Sequence, residues 1–405
     1  MRKLLILFLA LVLVALSTGT VFAQEEGSSF AACGDLTEEE CAPRLEAWAG
    51  MEALTTGAND SSIMLNVTNV PGLPMDAIDI QIDRSGNFEA SPALVASFSE
   101  LQQMDRAELM TMLEDPAQFD KLLGELIAGL DTAQKMDITL SPEIAQMVSE
   151  GAGINIPPEL TVNFVIKDGN IYLNMADIAG LVPQLAMFGG GWVGFELKPL
   201  MDFVMQKLAD ADTPAGPELL QFVAPGIGLT GMISAMHAPL NKTALVERVE
   251  DLTVDGAAAA KYNVDLNFPG YMASPDFQGL LGPLARDYAE DKGVELNDEN
   301  IGQIAGLVSL FSPVILGDLK YNIQEVIGLD DNVVHSTDGE LEWDTSGLLD
   351  TIAALQDSEE PLLEAAPYIH MVTSTTYADH DSGTGVATPQ AFVLPITMIL
   401  SIIGG

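Results

Sequence analysis

The chain has 405 residues, 48% of them hydrophobic, with 59 acidic against 16 basic side chains and a formal charge of −43. So much apolar residue excludes global disorder, and the length suits one large domain or two ordinary ones. The charge excludes nucleic acid as a partner and opposes lasting contact with an anionic membrane face, because an acidic surface repels both.

Residues 1–23 predict a signal peptide. Arg2 and Lys3 precede the unbroken apolar stretch Leu4 to Leu16, and Val21-Phe22-Ala23 offers a cleavage site. The leader holds two of the basic residues and none of the acidic ones, so the remainder carries a charge of about −45. Residues 24–60 read as an acidic N-terminal extension. Within it Cys33 and Cys41, the chain's two cysteines, lie in Cys-Gly-Asp-Leu-Thr-Glu-Glu-Glu-Cys. In an oxidising compartment so close a pair predicts a local disulfide. Thr37 followed by three glutamates is a helix start, and Arg44 to Leu54 continues it.

Residues 61–405 read as a single α+β domain. Ile63, Leu65 and Val67 alternate with Met64, Asn66 and Thr68, and Ile78, Ile80 and Ile82 alternate with Asp79, Gln81 and Asp83. Ser85-Gly86-Asn87 is expected to close that second strand. Between 92 and 131 leucine, methionine and phenylalanine recur at three- and four-residue steps, a helical region broken at Asp115-Pro116. A hairpin follows, with Val162, Phe164 and Ile166 on one face, Asp168-Gly169 as its turn and Ile171, Leu173 and Met175 returning. Trp192 to Leu197 is a further strand. Asp255-Gly256 joins Glu247–Val254 to Lys261–Phe268, where Tyr262, Val264 and Leu266 alternate with Asn263, Asp265 and Asn267. Later strands are expected over 318–326, 333–343 and 369–377. Four apolar connections, 178–188, 219–236, 301–316 and 391–403, are each broken by proline or glycine, and none makes a convincing membrane span. They must cover the sheet or line a cavity within it. The stretch 210–217 is the best linker candidate.

Catalytic signatures are missing. There is no Gly-x-Ser-x-Gly elbow, no His-Glu-x-x-His and no phosphate-binding loop; Gly189-Gly190-Gly191 lacks the spacing and the lysine. His237, His335, His370 and His380 sit in no recognised motif. Asp379-His380-Asp381 and Asp330-Asp331-Asn332 offer cation ligands without the loop of an EF-hand. No cofactor or metal is expected. With 59 acids, carboxylate pairs for hydrolysis are too numerous to select one.

The hairpin Phe164 to Leu173, the segment Gly191-Trp192-Val193-Gly194-Phe195-Glu196, Gly339 to Trp343, and Thr376 to Pro389 resemble the corresponding parts of LppX/LprG-type lipid-binding lipoproteins and of LolA/LolB-like lipoprotein carriers. The chain departs from the lipoprotein members in having no lipobox cysteine behind its leader. The resemblance implies a curved antiparallel sheet, an incomplete barrel, with helices packed in its concave face and lipid held between the two. The expectation is an exported, non-enzymatic binder of a lipid or other apolar molecule. Val162, Phe164, Ile166, Tyr262, Val264 and Leu266 are the candidate contacts, and the partners are that ligand and, transiently, a membrane or membrane protein. A structural or adhesive surface protein, and a carboxylate-based hydrolase, are the competing classes.

Overall fold

A computed structural model of the protein describes residues 33–70, 77–103, 116–152, 155–178, 181, 189–199, 243–274, 277, 298–355, 366–382 and 385–395. The expected signal peptide, the linker candidate 210–217 and the apolar segment 219–236 lie outside the described residues.

Twelve strands form one sheet in the order β12-β6-β5-β4-β3-β2-β1-β11-β10-β9-β8-β7. They are β1 (Thr56–Thr68), β2 (Ala77–Ala90), β3 (Leu130–Leu140), β4 (Glu159–Lys167), β5 (Asn170–Asn174), β6 (Trp192–Glu196), β7 (Leu245–Val254), β8 (Ala257–Asp265), β9 (Leu319–Gly328), β10 (Val334–Asp344), β11 (Tyr368–Ala378) and β12 (Ala391–Leu394). Strands β1 to β6 make one antiparallel meander and β7 to β11 a second. The two join where β1 pairs with β11, and β12 lies parallel to β6 at one edge. The tight turns form where the chain carries residues that tolerate positive φ. Asp168 and Gly169 stand at +50° and +72°, and Asp255 and Gly256 at +51° and +91°.

The described helices are α1 (Glu38–Glu52), α2 (Pro92–Gln103), α3 (Pro116–Gly129), α4 (Pro142–Ala152), α5 (Met175–Ile178), α6 (Phe268–Met272), α7 (Asp298–Ile315) and α8 (Ser346–Leu355). None is long and apolar enough to cross a membrane. The architecture is α+β: a curved sheet, open as an incomplete barrel, with helices in its concavity. Helix α1 packs on β9 and β10, α2 on α3, and α6 on α7.

Helix α1 begins at a capping box. Thr37 Oγ1 accepts from the Glu40 N–H at 3.3 Å, and Glu40 Oε2 accepts from the Thr37 N–H at 3.0 Å. Its apolar residues are sparse among the acids, yet Ala47, Trp48 and Met51 enter one core with Tyr262, Val264, Tyr271 and Ile327. Arg44, 1% exposed, donates from Nε and Nη2 to the two carboxylate oxygens of Glu325 on β9, at 2.5 and 2.7 Å. The Tyr262 hydroxyl donates to the Glu40 carbonyl. Cys33 and Cys41 form a disulfide with Cα atoms 5.4 Å apart. Its loop presses Gly34 (φ +50°) onto the start of β7, where a Cβ would lie 2.8 Å from the Val246 nitrogen. A side chain there would collide with backbone.

Two expectations need correction. Ser85-Gly86-Asn87 does not end a strand, for β2 runs on to Ala90. Gly86 is there because a Cβ would come within 2.4 Å of the Gln134 side chain and the Ala133 carbonyl on β3, a close approach rather than a turn. Residues Ala391–Leu394 are an edge strand, not part of an apolar cover, and Phe392 is 83% exposed.

Candidate functional site

Side chains alternate faces along each strand, and paired residues of an antiparallel sheet share a face. Following the registers across the sheet assigns every apolar alternation to the helix-covered, inner face. One transverse row reads Val162, Met136, Arg84, Ser61, Thr375, Thr337, Glu325, Tyr262, Arg248, from β4 through to β7. Val162, Phe164 and Ile166 therefore share a face with Tyr262 and Val264, with Val162 and Tyr262 in one row, while Leu266 lies just past the end of β8, which stops at Asp265 short of the expected Phe268. Six strands stand between Val162 and Tyr262, so seven strand spacings of about 4.8 Å separate them by about 34 Å along the sheet.

Those six residues are buried. Val162, Phe164, Ile166, Tyr262, Val264 and Leu266 are 0–9% exposed. The β4 end is shut on both sides, since Val165 and Tyr172 on the outer face pack under Val386. The β8 end is filled by α1 and α6.

Between these ends lies a floor of three apolar rows. The first is Ile138, Ile82, Ile63 and Thr373; the second Leu140, Ile80, Leu65, Met371 and Leu341; the third Ile78, Val67, Ile369 and Trp343. Every apolar side chain among them is only half-buried except Ile63, which is 40% exposed. The Trp343 indole Nε1 is shut from solvent without a hydrogen-bond partner. Sequence reasoning found these strands but did not choose them. Ile80 and Phe164 carry the same alternation, and nothing local tells which is covered.

The floor stops at a polar band. Arg84 Nε donates to Gln134 Oε1 at 2.9 Å, Gln134 Nε2 to Thr132 Oγ1 at 2.9 Å, and Thr132 Oγ1 to the Asn87 carbonyl at 2.9 Å. Burial lowers the Arg84 pKa to about 10, opposed by neighbouring Tyr377. Burial raises the Tyr377 phenol, while a hydrogen bond with Thr337 works the other way.

Two acidic constellations lie elsewhere. An open cleft of about 820 Å³ is lined by Gly50, Asp331, Asn332, Asp379, His380 and Asp381, among others. It brings together the two segments with cation ligands, but their carboxylates are largely engaged in building loops. Asp381 accepts from the Thr55 N–H and hydroxyl, and Asp330 from the Ala258 N–H. Asp331 Oδ2 lies 3.2 Å from His335 Nε2. Burial, then the nearby His335, lowers the pKa of His380. On the outer face, ligand atoms of Glu340, Glu342 and His370 lie within 4.8 Å of one another, with His370 Nε2 3.0 Å from Glu340 Oε1. The arrangement can accept a divalent cation, and it is equally a surface ion pair.

No family model and no curated protein matches the chain. The chain is similar to LppX. That lipoprotein of Mycobacterium tuberculosis shares 8% identity, over 85% of this chain and 97% of its own, at a TM-score of 0.24. LprF from Mycobacterium bovis shares 8%, over 83% of this chain and 90% of its own, also at 0.24. A TM-score this low carries no weight for function, which rests on the chain's own geometry.

Proposed function

We propose that the protein is an exported, non-enzymatic carrier or binder of a lipid or similar apolar molecule, held between the sheet and its helices. The observation that carries this reading is the half-exposed apolar floor on β2, β1, β11 and β10, between two well-covered ends. Leaving aliphatic surface in water forfeits about 25 cal/mol per Å², and a contiguous patch of it marks a binding surface. The site is concave and mostly apolar with a few polar groups at its margin, the usual composition of a small-molecule site. The disulfide supports an extracytoplasmic location. The outer face keeps such a protein in solution: Asp60, Asp83, Asp137, Asp338 and Glu340 all project there.

Protein purified without detergent is expected to release lipid into an organic extract, read by mass spectrometry. The delipidated protein is expected to bind a neutral environment-sensitive lipid probe saturably. An empty extract together with no saturable binding would overturn the proposal and leave a structural surface protein.

A further inference from the structure

The two edges of the sheet are finished differently. At the β7 edge, Glu247, Glu250 and Asp251 bring charge, and a bulge interrupts the ladder between Arg248 and Glu250. Charge and bulges are the usual protection of a free edge. At the β12 edge the register with β6 is unbroken, and residues 382–405 hold no Asp, Glu, Lys, Arg or His, in a chain whose formal charge is −43. Phe164, Leu173, Val193 and Phe392 form one row on the inner face, from β4 to β12. The first three are buried, yet Phe392 is 83% exposed, and Val393, on the opposite face, is 49% exposed. Pro395 just beyond them is exposed too. From Ile396 to Ile403 the sequence stays apolar apart from Thr397 and Ser401.

We infer that the β12 edge is the surface by which the protein meets an electrically neutral lipid bilayer, with Phe392 as the residue that enters it. This deepens the apolar-binder reading and rests on it for its purpose, since a carrier must take its lipid from a bilayer or deliver it to one. Other occupants fit the edge less well. A strand from another protein would find four residues bracketed by Pro389 and Pro395, and a proline has no N–H with which to extend a ladder. A second copy would need about 800 Å² from each partner, more than so short a strand offers. It would also bring together two chains of charge −43, which repel each other. An anionic lipid face is opposed by the same charge. A neutral bilayer asks only for an aromatic side chain at headgroup depth and an apolar flank without charge. The β12 edge has both.

The test floats the mature, delipidated protein with vesicles of phosphatidylcholine alone and of phosphatidylglycerol alone, at low salt. The wild type is expected to float with the first and to stay behind with the second. Phe392→Glu is expected to lower the partition onto phosphatidylcholine roughly tenfold or more, because a charge replaces an aromatic anchor. Its melting temperature should match that of the wild type, as the change is made at an exposed position; Phe392→Ser takes its place if it does not. Phe392→Trp is expected to keep the partition and to show quenching by brominated phosphatidylcholine beyond that of the wild type. Saturable binding of the neutral lipid probe should be unchanged in Phe392→Glu, so that failure of the docking and failure of the carrier are read apart. No flotation of the wild type with phosphatidylcholine, equal flotation with phosphatidylglycerol, or a partition that survives in Phe392→Glu would overturn the docking edge and leave the apolar binder intact. A wild-type dimer in sedimentation that Phe392→Glu turns into a monomer would overturn it too, and give the edge to self-association.

Discussion

Phe164 on β4 is 3% exposed, and Ile63, three strands away on the same face, is 40% exposed. Both belong to alternating strands, and both point toward the helices. They differ only in what lies above them. At the β4 end, strand side chains meet a closed core; at the β8 end, α1 and α6 fill the concavity; in between, apolar rows stay partly open. A filled core and a binding surface can thus be drawn from one sheet and one residue vocabulary. Cover, rather than hydrophobicity, separates them.

The comparison breaks first at the buried pair. Arg44→Met leaves the Glu325 carboxylate in the core without its cation, and is expected to cost about 3–5 kcal/mol in denaturant unfolding. Adding Glu325→Leu should recover much of that, because the charge left alone is the penalty. A single-variant loss below about 1 kcal/mol would mean that water reaches this end, so that it is not closed.

A matched pair of truncations sharpens the contrast. Phe164→Ala is expected to cost about 3–5 kcal/mol, as for a large side chain removed from a packed core. Ile80→Ala, from the half-open floor, should cost clearly less than the 2–5 kcal/mol usual for a fully buried isoleucine, and should weaken binding of the neutral probe. Equal losses would show that floor and core are one packed body.

The smallest of these effects concerns the cover itself. Cys33→Ser with Cys41→Ser opens a short loop, worth about 2–3 kcal/mol in the chain-entropy account. Because the disulfide holds the start of α1, and α1 lies in the β8-end core, the loss should appear in global unfolding. Loss confined to local opening near residue 33, read by hydrogen exchange, would detach α1 from that core.

Much of the fold was legible. Asp168-Gly169 and Asp255-Gly256 announced their hairpins because few residue pairs accept positive φ twice in succession. The Thr37 capping box announced α1. What escaped was everything set by distant partners. Gly86 looked like a turn, since a glycine demanded by a neighbouring strand and one demanded by a bend are alike in sequence. The pairing of Arg44 with Glu325 joins residues 281 apart, which no local pattern can report. The six candidate contacts were chosen for clean alternation, a signal of facing inward. Facing inward does not say whether a ligand or a helix waits there, so Ile63, Leu65 and Ile80, with the same signal, were passed over. Arg84 ends the isoleucine alternation of β2 on the same face, and its partner Gln134 lies 50 residues away, beyond the reach of a local pattern.

The span between Arg44 and Glu325 also has a meaning in time. Chains are made at about 5–20 residues per second, so roughly 15–60 s separate the two ends of this pair at the ribosome. The first meander can assemble from neighbours as they emerge, strand upon strand. The α1 arginine has nothing to hold until β9 arrives, and β1 keeps one edge bare until β11 does. For that interval the nascent protein is a half-sheet with an unpaired edge and a homeless cation, the kind of surface that chaperones recognise. Closure of the β1–β11 seam ends it, and the same event completes the floor, which straddles that seam.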